Sequence, residues 1–485
     1  MTGVARRRDP VRGRERALVA ATQTLRMVHD PLRTALFVLT ILNISRVHQH
    51  YPMLARMRPA LLLVVASIGY AYLKPRYLSP TNVLKRWPMR LVLILGILAC
   101  CSAAFGISLG RSAGFFLDSY AKTLAYAFLI AVSIRHVRDL YTFVWAYVIS
   151  CGILAFFSLF VFGLSKGSGS YVTRLNDLYT YDSNDLGVVM MIGLALTLLL
   201  LVVARSGRRW MLLVILVGIG ATIARSGSRG GFLGFIATGL AGLLLANSVS
   251  VARRVSLLAA AVTSLLLGAP PGYWEQMQTI LAPKEDYNYS SIDGRRALMQ
   301  RGIGYMEEYP LFGLGINNFA RAECTISPKI ASLRLNGPRR CVVPHNSYIQ
   351  AGTEIGIPGL LVWVSLLLGG IIAPLKLRRR LPGSWRRGAD QERFLYAAST
   401  FFPVAMIGFA VTSFFVSFAW MDTIYLMAAL LTGLYGSTYV QLHAGDFDGV
   451  VTAREGTHSR HVGGWRVART SRFGTVHRQS TFVTE

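Results

Sequence analysis

Pro344-His345-Asn346-Ser347-Tyr348 sets an imidazole at the point where a long polar segment runs into an apolar stretch. A carboxyl group, Glu354, follows about two and a half helical turns further in. The other eight of the nine histidines lie in basic loops or tails. An imidazole titrates near neutral pH and can take a proton from a hydroxyl, so this placement predicts a reaction at a membrane surface. Two arginines offer complementary chemistry. Arg229 opens an apolar run within Ser226-Gly227-Ser228-Arg229-Gly230-Gly231, and Arg225 precedes it by one helical turn. Guanidinium groups grip phosphate oxygens bidentately, and helix N-termini present amides and a positive dipole end. The expected ligand is therefore a phosphate-bearing lipid headgroup. Plainer readings stand beside this one: both arginines as interface anchors, His345 as a helix-start residue, and Gly230 and Gly234 as helix-packing positions.

Groups of this kind need a scaffold, and the composition restricts what it can be. With 53% hydrophobic and 15% charged residues over 485 positions, the chain is too apolar for a soluble protein of that length. Runs long enough to cross a bilayer fall near 34–47, 58–73, 90–109, 114–134, 139–164, 186–204, 209–225, 229–247, 254–269, 347–374, 395–416 and 419–438. The fold class predicted is an all-α membrane protein of about twelve transmembrane helices. Placing both termini in the cytoplasm puts most of the 51 Lys and Arg on that side, including Lys376, Arg378, Arg379, Arg380, Arg386, Arg387 and Arg393. The net charge of +28 is thus a topology signal and an attraction to anionic lipid, not a nucleic-acid patch.

The layout that follows is a basic cytoplasmic segment over 1–33, helices over 34–269, a single large outward loop over 270–345, three more helices over 346–440, and a disordered basic tail from 441 to 485. No short apolar region with a cleavage site marks the start as a removable signal peptide. Within the loop, Asp293 is expected to cap an amphipathic helix that runs to about Tyr309, presents Met299, Ile303 and Met306 on one face, and ends at Pro310. That helix either lies on the membrane or packs over the bundle mouth. Cys324 and Cys341 share the loop, where an oxidising compartment would let them pair; two free thiols are the alternative. Asp118 and Lys122, at i and i+4, are read as a structural ion pair. Asp182-Ser183-Asn184-Asp185 supplies helix caps, while Arg174 and Asp185 are candidates for lining the site. Glu354, inside an apolar run, is either functional or structural glue. Gly313-Leu314-Gly315 reads as a turn, and the Asp446-Phe447-Asp448 spacing in the tail as chance. No Cys/His spacing resembles a zinc site, so no metal and no cofactor are expected.

Four pieces together resemble the O-antigen ligase and O-antigen polymerase family of bacterial membrane glycosyltransferases. They are Asp182-Ser183-Asn184-Asp185-Leu186, Ser228-Arg229-Gly230-Gly231, Gly294-Arg295 leading into Pro310-Leu311-Phe312-Gly313-Leu314-Gly315, and His345-Asn346-Ser347-Tyr348 with Glu354, Gly356 and Gly359 behind it. The resemblance implies a glycosyltransferase-C-like fold and transfer of a glycan from an undecaprenyl-diphosphate carrier at the periplasmic face of the inner membrane. The acceptor would be the lipid A core or a growing glycan. It also implies that Arg229, with Arg225 and Arg295, holds the diphosphate, that His345 acts on the acceptor hydroxyl, and that Asn346, Tyr348, Glu354, Arg174 and Asp185 support them. Met299 departs from the aromatic residue the family pattern places after the Gly-Arg pair, which weakens the role given to Arg295. A ligase is preferred over a polymerase with the same donor. A transporter or flippase for a lipid-linked glycan, or a non-catalytic scaffold, would be the reading from another class. Transporters place ionisable groups near the midplane, whereas these cluster at the outer edge.

Overall fold

Backbone amides and carbonyls cannot be left unpaired in hydrocarbon, so a chain this apolar closes its hydrogen bonds within helices. The computed structural model describes residues 25–79, 82–166, 173–176, 181–204, 206–247, 249–282, 293–329 and 341–458. Along it run α1 (Pro31–Ser45), α2 (Pro59–Leu73), α3 (Trp87–Phe105), α4 (Leu109–Ser133), α5 (Val137–Phe160), α6 (Asp185–Val203), α7 (Ser206–Ser226), α8 (Arg229–Leu245) and α9 (Val251–Gly268). Three short loop helices follow: α10 (Tyr273–Gln278), α11 (Arg295–Glu308) and α12 (Phe319–Thr325). Last come α13 (Ser347–Arg380), α14 (Asp390–Thr412) and α15 (Asp422–His458).

Among the described residues nine helices are long and apolar enough to cross a membrane, while α1, α2 and α8 are shorter apolar helices. These correspond in order to the twelve apolar runs read from the sequence. The chain is a multi-pass helical membrane protein. Two features depart from the sequence reading. Leu164–Lys166 and Thr173–Leu175 form an antiparallel two-stranded ribbon, β1 and β2, pairing Ser165 with Arg174. Helical backbone also extends through the described part of the second compact unit, Val440–Glu485, as far as His458, because adding residues to an existing helix costs far less than starting one. Residues 1–24 and 459–485, with most of the basic start and tail, lie outside the described residues.

The centre of the first unit is α6, buried almost all round and packed on α14, α7, α8 and α5. Between membrane helices close contact supplies the attraction, and small residues permit it. A Cβ added to Gly187 at the start of α6 would stand 2.9 Å from the Cα of Gly231 at the start of α8. The two helices therefore meet backbone to backbone at the end where the candidate arginines lie.

Two sequence expectations fail in instructive ways. Asp118 and Lys122 form no ion pair among the described residues: a π-helical turn over Phe116–Tyr120 replaces the α register that an i,i+4 pairing assumes, and both line a cavity. In the loop, Asp293 does not cap α11. Gly294 is the N-cap and makes no side-chain bond, while Asp293 accepts from Lys329 Nζ at 2.8 Å. The buried face of α11 is Leu298, Gly302 and Tyr305, and Ile303 is exposed. Of the two placements expected for this helix, packing is the one observed. Gly302 abuts Ile349 and Thr353 on α13, and a small core of Leu298, Tyr305, Leu314, Phe319 and Ala322 includes Ile349.

Beneath that core sits a fully buried carboxylate. Glu323 receives Arg301 Nη2 at 2.8 Å, Lys329 Nζ at 2.9 Å and the Tyr305 hydroxyl at 3.0 Å. Cys324, the next residue, is disulfide-bonded to Cys341 with a Cα–Cα distance of 5.2 Å. Removing one partner from a buried charge network leaves the others unpaired at a cost of about 3–5 kcal/mol. Glu323→Ala should speed amide hydrogen exchange across residues 293–329 by at least a hundredfold and leave α6 and α14 protected. Unchanged exchange in the loop would show that the network does not hold it.

Candidate active site

The site is assembled where α13 begins. Asn346 caps this helix, its side-chain oxygen accepting the amides of Tyr348 at 2.9 Å and Ile349 at 3.1 Å. Ser347 Oγ donates to Val416 O at 2.8 Å and accepts Phe418 N at 2.9 Å, the Tyr348 hydroxyl donates to Ala410 O at 2.9 Å, and His345 N donates to Ser417 Oγ at 2.9 Å. The motif is thus bound to the last turns of α14 and along the segment between α14 and α15. Asn346 and Tyr348 orient the start of the helix through these bonds. Because Asn346 takes two of the first amides, the helix end is not an open anion cradle. Ser228 does the same for α8, accepting Gly231 N at 3.1 Å. The sequence reading of helix-start amides open to an anion is corrected for the amides bonded in this way.

His345 itself has φ of +49°, the left-handed region that only a few residue types other than glycine tolerate. Such strain is sustained only where neighbours enforce it. Burial lowers the imidazole pKa, the Arg295 charge lowers it further, and Asp182 opposes both. The neutral form of the ring is favoured accordingly. Arg295 lies with its Cζ 5.9 Å from the Phe415 ring centroid, and Phe415 packs against Gly230, the residue after Arg229. Met299 Sδ approaches Asn346 Nδ2 at 4.0 Å, so the residue that departs from the family pattern faces the motif. His345, Arg295 and the start of α8 accordingly share one locale.

The remaining candidates are placed around it. Arg229 Nη1 donates to Thr279 Oγ1, just beyond α10, at 2.8 Å. Arg225 Nη1 donates to Leu159 O in the last turn of α5, which turns that arginine toward the α5 end. Arg174, on β2, reaches Asn184 Oδ1 at 3.2 Å and Ser226 O at 3.4 Å, tying the ribbon to the α7–α8 corner. Asp185 Oδ2 accepts Asp182 N at 2.9 Å while Asp182 Oδ1 accepts Asp185 N at 2.8 Å, a reciprocal cap at the start of α6.

Glu354 resolves as a joint. Its Oε2 accepts the Trp420 indole N–H at 2.6 Å and Asn317 N at 2.9 Å, and its Oε1 accepts Phe319 N at 3.3 Å. Immediately after it α13 breaks, Ile355 and Gly356 leaving helical geometry and Gly356 taking φ of +75°. Into the break fits the turn Pro310–Gly315: Leu314 N donates to Thr353 O at 2.7 Å, Gly315 N to Glu354 O at 3.1 Å, and Ile357 N to Pro310 O at 2.8 Å. A side chain at Gly356 would collide with the Leu311 carbonyl. Sequence reasoning missed Asp182 as a neighbour of His345, along with Trp420, Ser417 and Thr279. Only the polar character of Trp420 and Asp422 at the opening of an apolar run could have flagged that region.

Residues 214–364 match the family model described as O-antigen ligase. The matched stretch runs from α7 to the first half of α13 and contains Arg225, Arg229, Arg295, His345 and Glu354. The match supports a ligase- or polymerase-type role in O-antigen biosynthesis. No curated protein matches the chain in sequence.

Two measurements probe this geometry. In histidine-labelled protein, the NMR titration of His345 should have a midpoint below the ordinary value near 6.5. It should rise in Arg295→Gln, where a repelling charge is gone, and fall further in Asp182→Asn; a wild-type midpoint at or above 6.5 would contradict the environment described. Glu354→Gln replaces an acceptor by an amide that points a donor at other donors, costing about 1–3 kcal/mol. Exchange at the Asn317 and Phe319 amides should rise at least fivefold, and equal protection in the variant would remove the joint.

Proposed function

We propose that the protein is a ligase-like glycosyltransferase that moves a glycan from undecaprenyl diphosphate to an acceptor hydroxyl, the lipid A core, at the periplasmic face of the inner membrane. The observation that carries this reading is the position of His345, a half-buried imidazole next to Arg295 and the start of α8, inside the O-antigen ligase match. The acceptor O–H attacks the anomeric carbon, its proton passes to the imidazole, and the carbon–oxygen bond to the diphosphate breaks with the electron pair leaving on that oxygen. General-base assistance of this type contributes about 100- to 10,000-fold. Arginines preorganised at the leaving group contribute roughly 3–4 kcal/mol per good donor. Arg229 and Arg295 are assigned that role, and Arg225 holds the corner from which Arg229 projects. A single displacement inverts the configuration at carbon one, and the route calls on no metal ion.

A polymerase working from the same donor differs only in its acceptor, the end of another carrier-linked chain. Purified protein given a defined lipid-linked glycan with either acceptor separates the two: a one-step shift of lipid A core denotes ligation, and a ladder without lipid A denotes polymerisation. His345→Ala should lower kcat at least a hundredfold, and Arg229→Ala should cost a comparable factor in kcat/KM. Folded variants that transfer glycan at the wild-type rate would end the enzymatic reading, as retention of anomeric configuration would end the single displacement.

A further inference from the structure

The described residues contain a polar cavity of about 420 Å³ between α1, α2, α4 and the start of α15. Its walls carry Arg46, Asp118, Ser119, Lys122 and Asp422, with Trp420 at one side. That size falls within the roughly 300–1,000 Å³ of small-molecule sites. Charge inside a membrane-crossing helix is expensive unless it is partnered or faces a polar space, which makes such residues functional candidates. Asp118 and Lys122 lie in α4 and have no ion-pair partner among the described residues. A π-helical turn, a form frequent at functional sites, spans Phe116–Tyr120 and includes Asp118 and Ser119. Asp422 is already committed, accepting Thr123 Oγ1 at 2.6 Å and pairing with Arg46 at 3.3 Å. Arg46 Nε nonetheless remains a buried donor without a hydrogen-bond partner.

The lining interleaves the two signs of charge. A simple anion would meet Asp118 and Asp422, and a simple cation would meet Arg46 and Lys122. A neutral ring carrying several hydroxyls suits both, since each hydroxyl donates to a carboxylate and accepts from an ammonium or guanidinium. The cavity also adjoins the site already described. Trp420 gives its indole N–H to Glu354, and Arg46 lies over the ring of Tyr181, the residue before Asp182, at 5.3 Å. We propose that this cavity is a subsite for one neutral sugar unit of the glycan that the protein handles. The choice of ligand rests on the glycan-transfer reading.

Direct binding to the purified full-length chain tests it, by calorimetric titration with two soluble probes: a delipidated core oligosaccharide, and a carrier-free oligosaccharide of the repeating glycan. One probe is expected to saturate, which assigns the cavity to acceptor or donor. Asp118→Asn and Lys122→Gln should each weaken that probe at least tenfold, and Ser119→Leu, which fills space without touching a charge, should do the same. Ile303→Ala, on the exposed face of α11, should bind it as wild type does. Because binding is read without turnover, a protein that takes up sugar through Asp118 yet transfers nothing would support the subsite and count against the catalytic reading alone. The proposal is overturned if neither probe binds, if the folded variants bind like wild type, or if the variants instead lose a co-purifying phosphatidylethanolamine.

Discussion

Glu354 is the carboxyl group on which the loop side of the bundle depends. Buried at the point where α13 breaks, it gathers N–H donors from the loop, at Asn317 and Phe319, and from the approach to α15, at Trp420. Three parts of the chain that are far apart in sequence are held by one side chain. A buried carboxyl group left without donors would be a heavy cost, so the fold around it is constrained to bring all three. The break in α13 is the other half of the same arrangement. It exposes the backbone carbonyls of Thr353 and Glu354, which the turn Pro310–Gly315 then satisfies.

Given that joint, the motif at His345 can be held in a conformation it would not adopt unaided. Asn346, Ser347 and Tyr348 each bond to a different neighbour, and the left-handed backbone at His345 is the residue of these constraints. On the opposite wall, the backbone contact between Gly187 and Gly231 sets where α8 begins and so where Arg229 projects. The imidazole and the guanidinium groups are thus located by rigid elements on both sides, while Phe415 spans the space between Arg295 and Gly230.

Much of this scaffold was legible in the sequence because apolar length is a local property. The runs near 90–109, 139–164 and 186–204 reappear as α3, α5 and α6, displaced by a few residues where polar caps lie outside the apolar count. The locale around His345 was legible too, since a histidine and a carboxyl group in one apolar approach are rare. Partner choice was not. Asp293 had the spacing of a cap, yet Lys329 offers it a stronger, charge-assisted bond and Arg301 stands at 3.9 Å. Asp118 and Lys122 had the spacing of an ion pair, yet a π turn alters the register. Glu354 could be recognised as costly, but nothing in its own neighbourhood named Trp420, because that contact spans 66 residues.

The interlocking of the turn and the broken helix also bears on how the protein is made. Residues 310–319 leave the ribosome before α13, and Trp420 leaves after it, so Glu354 emerges with two of its donors already synthesised and the third still to come. The first half of α13 can therefore settle only around a loop that has already taken shape, and it stays incompletely satisfied until the last helix arrives. Biogenesis of this end of the molecule is ordered by that wait, and a translocation delay in either neighbour would leave the same carboxyl group stranded.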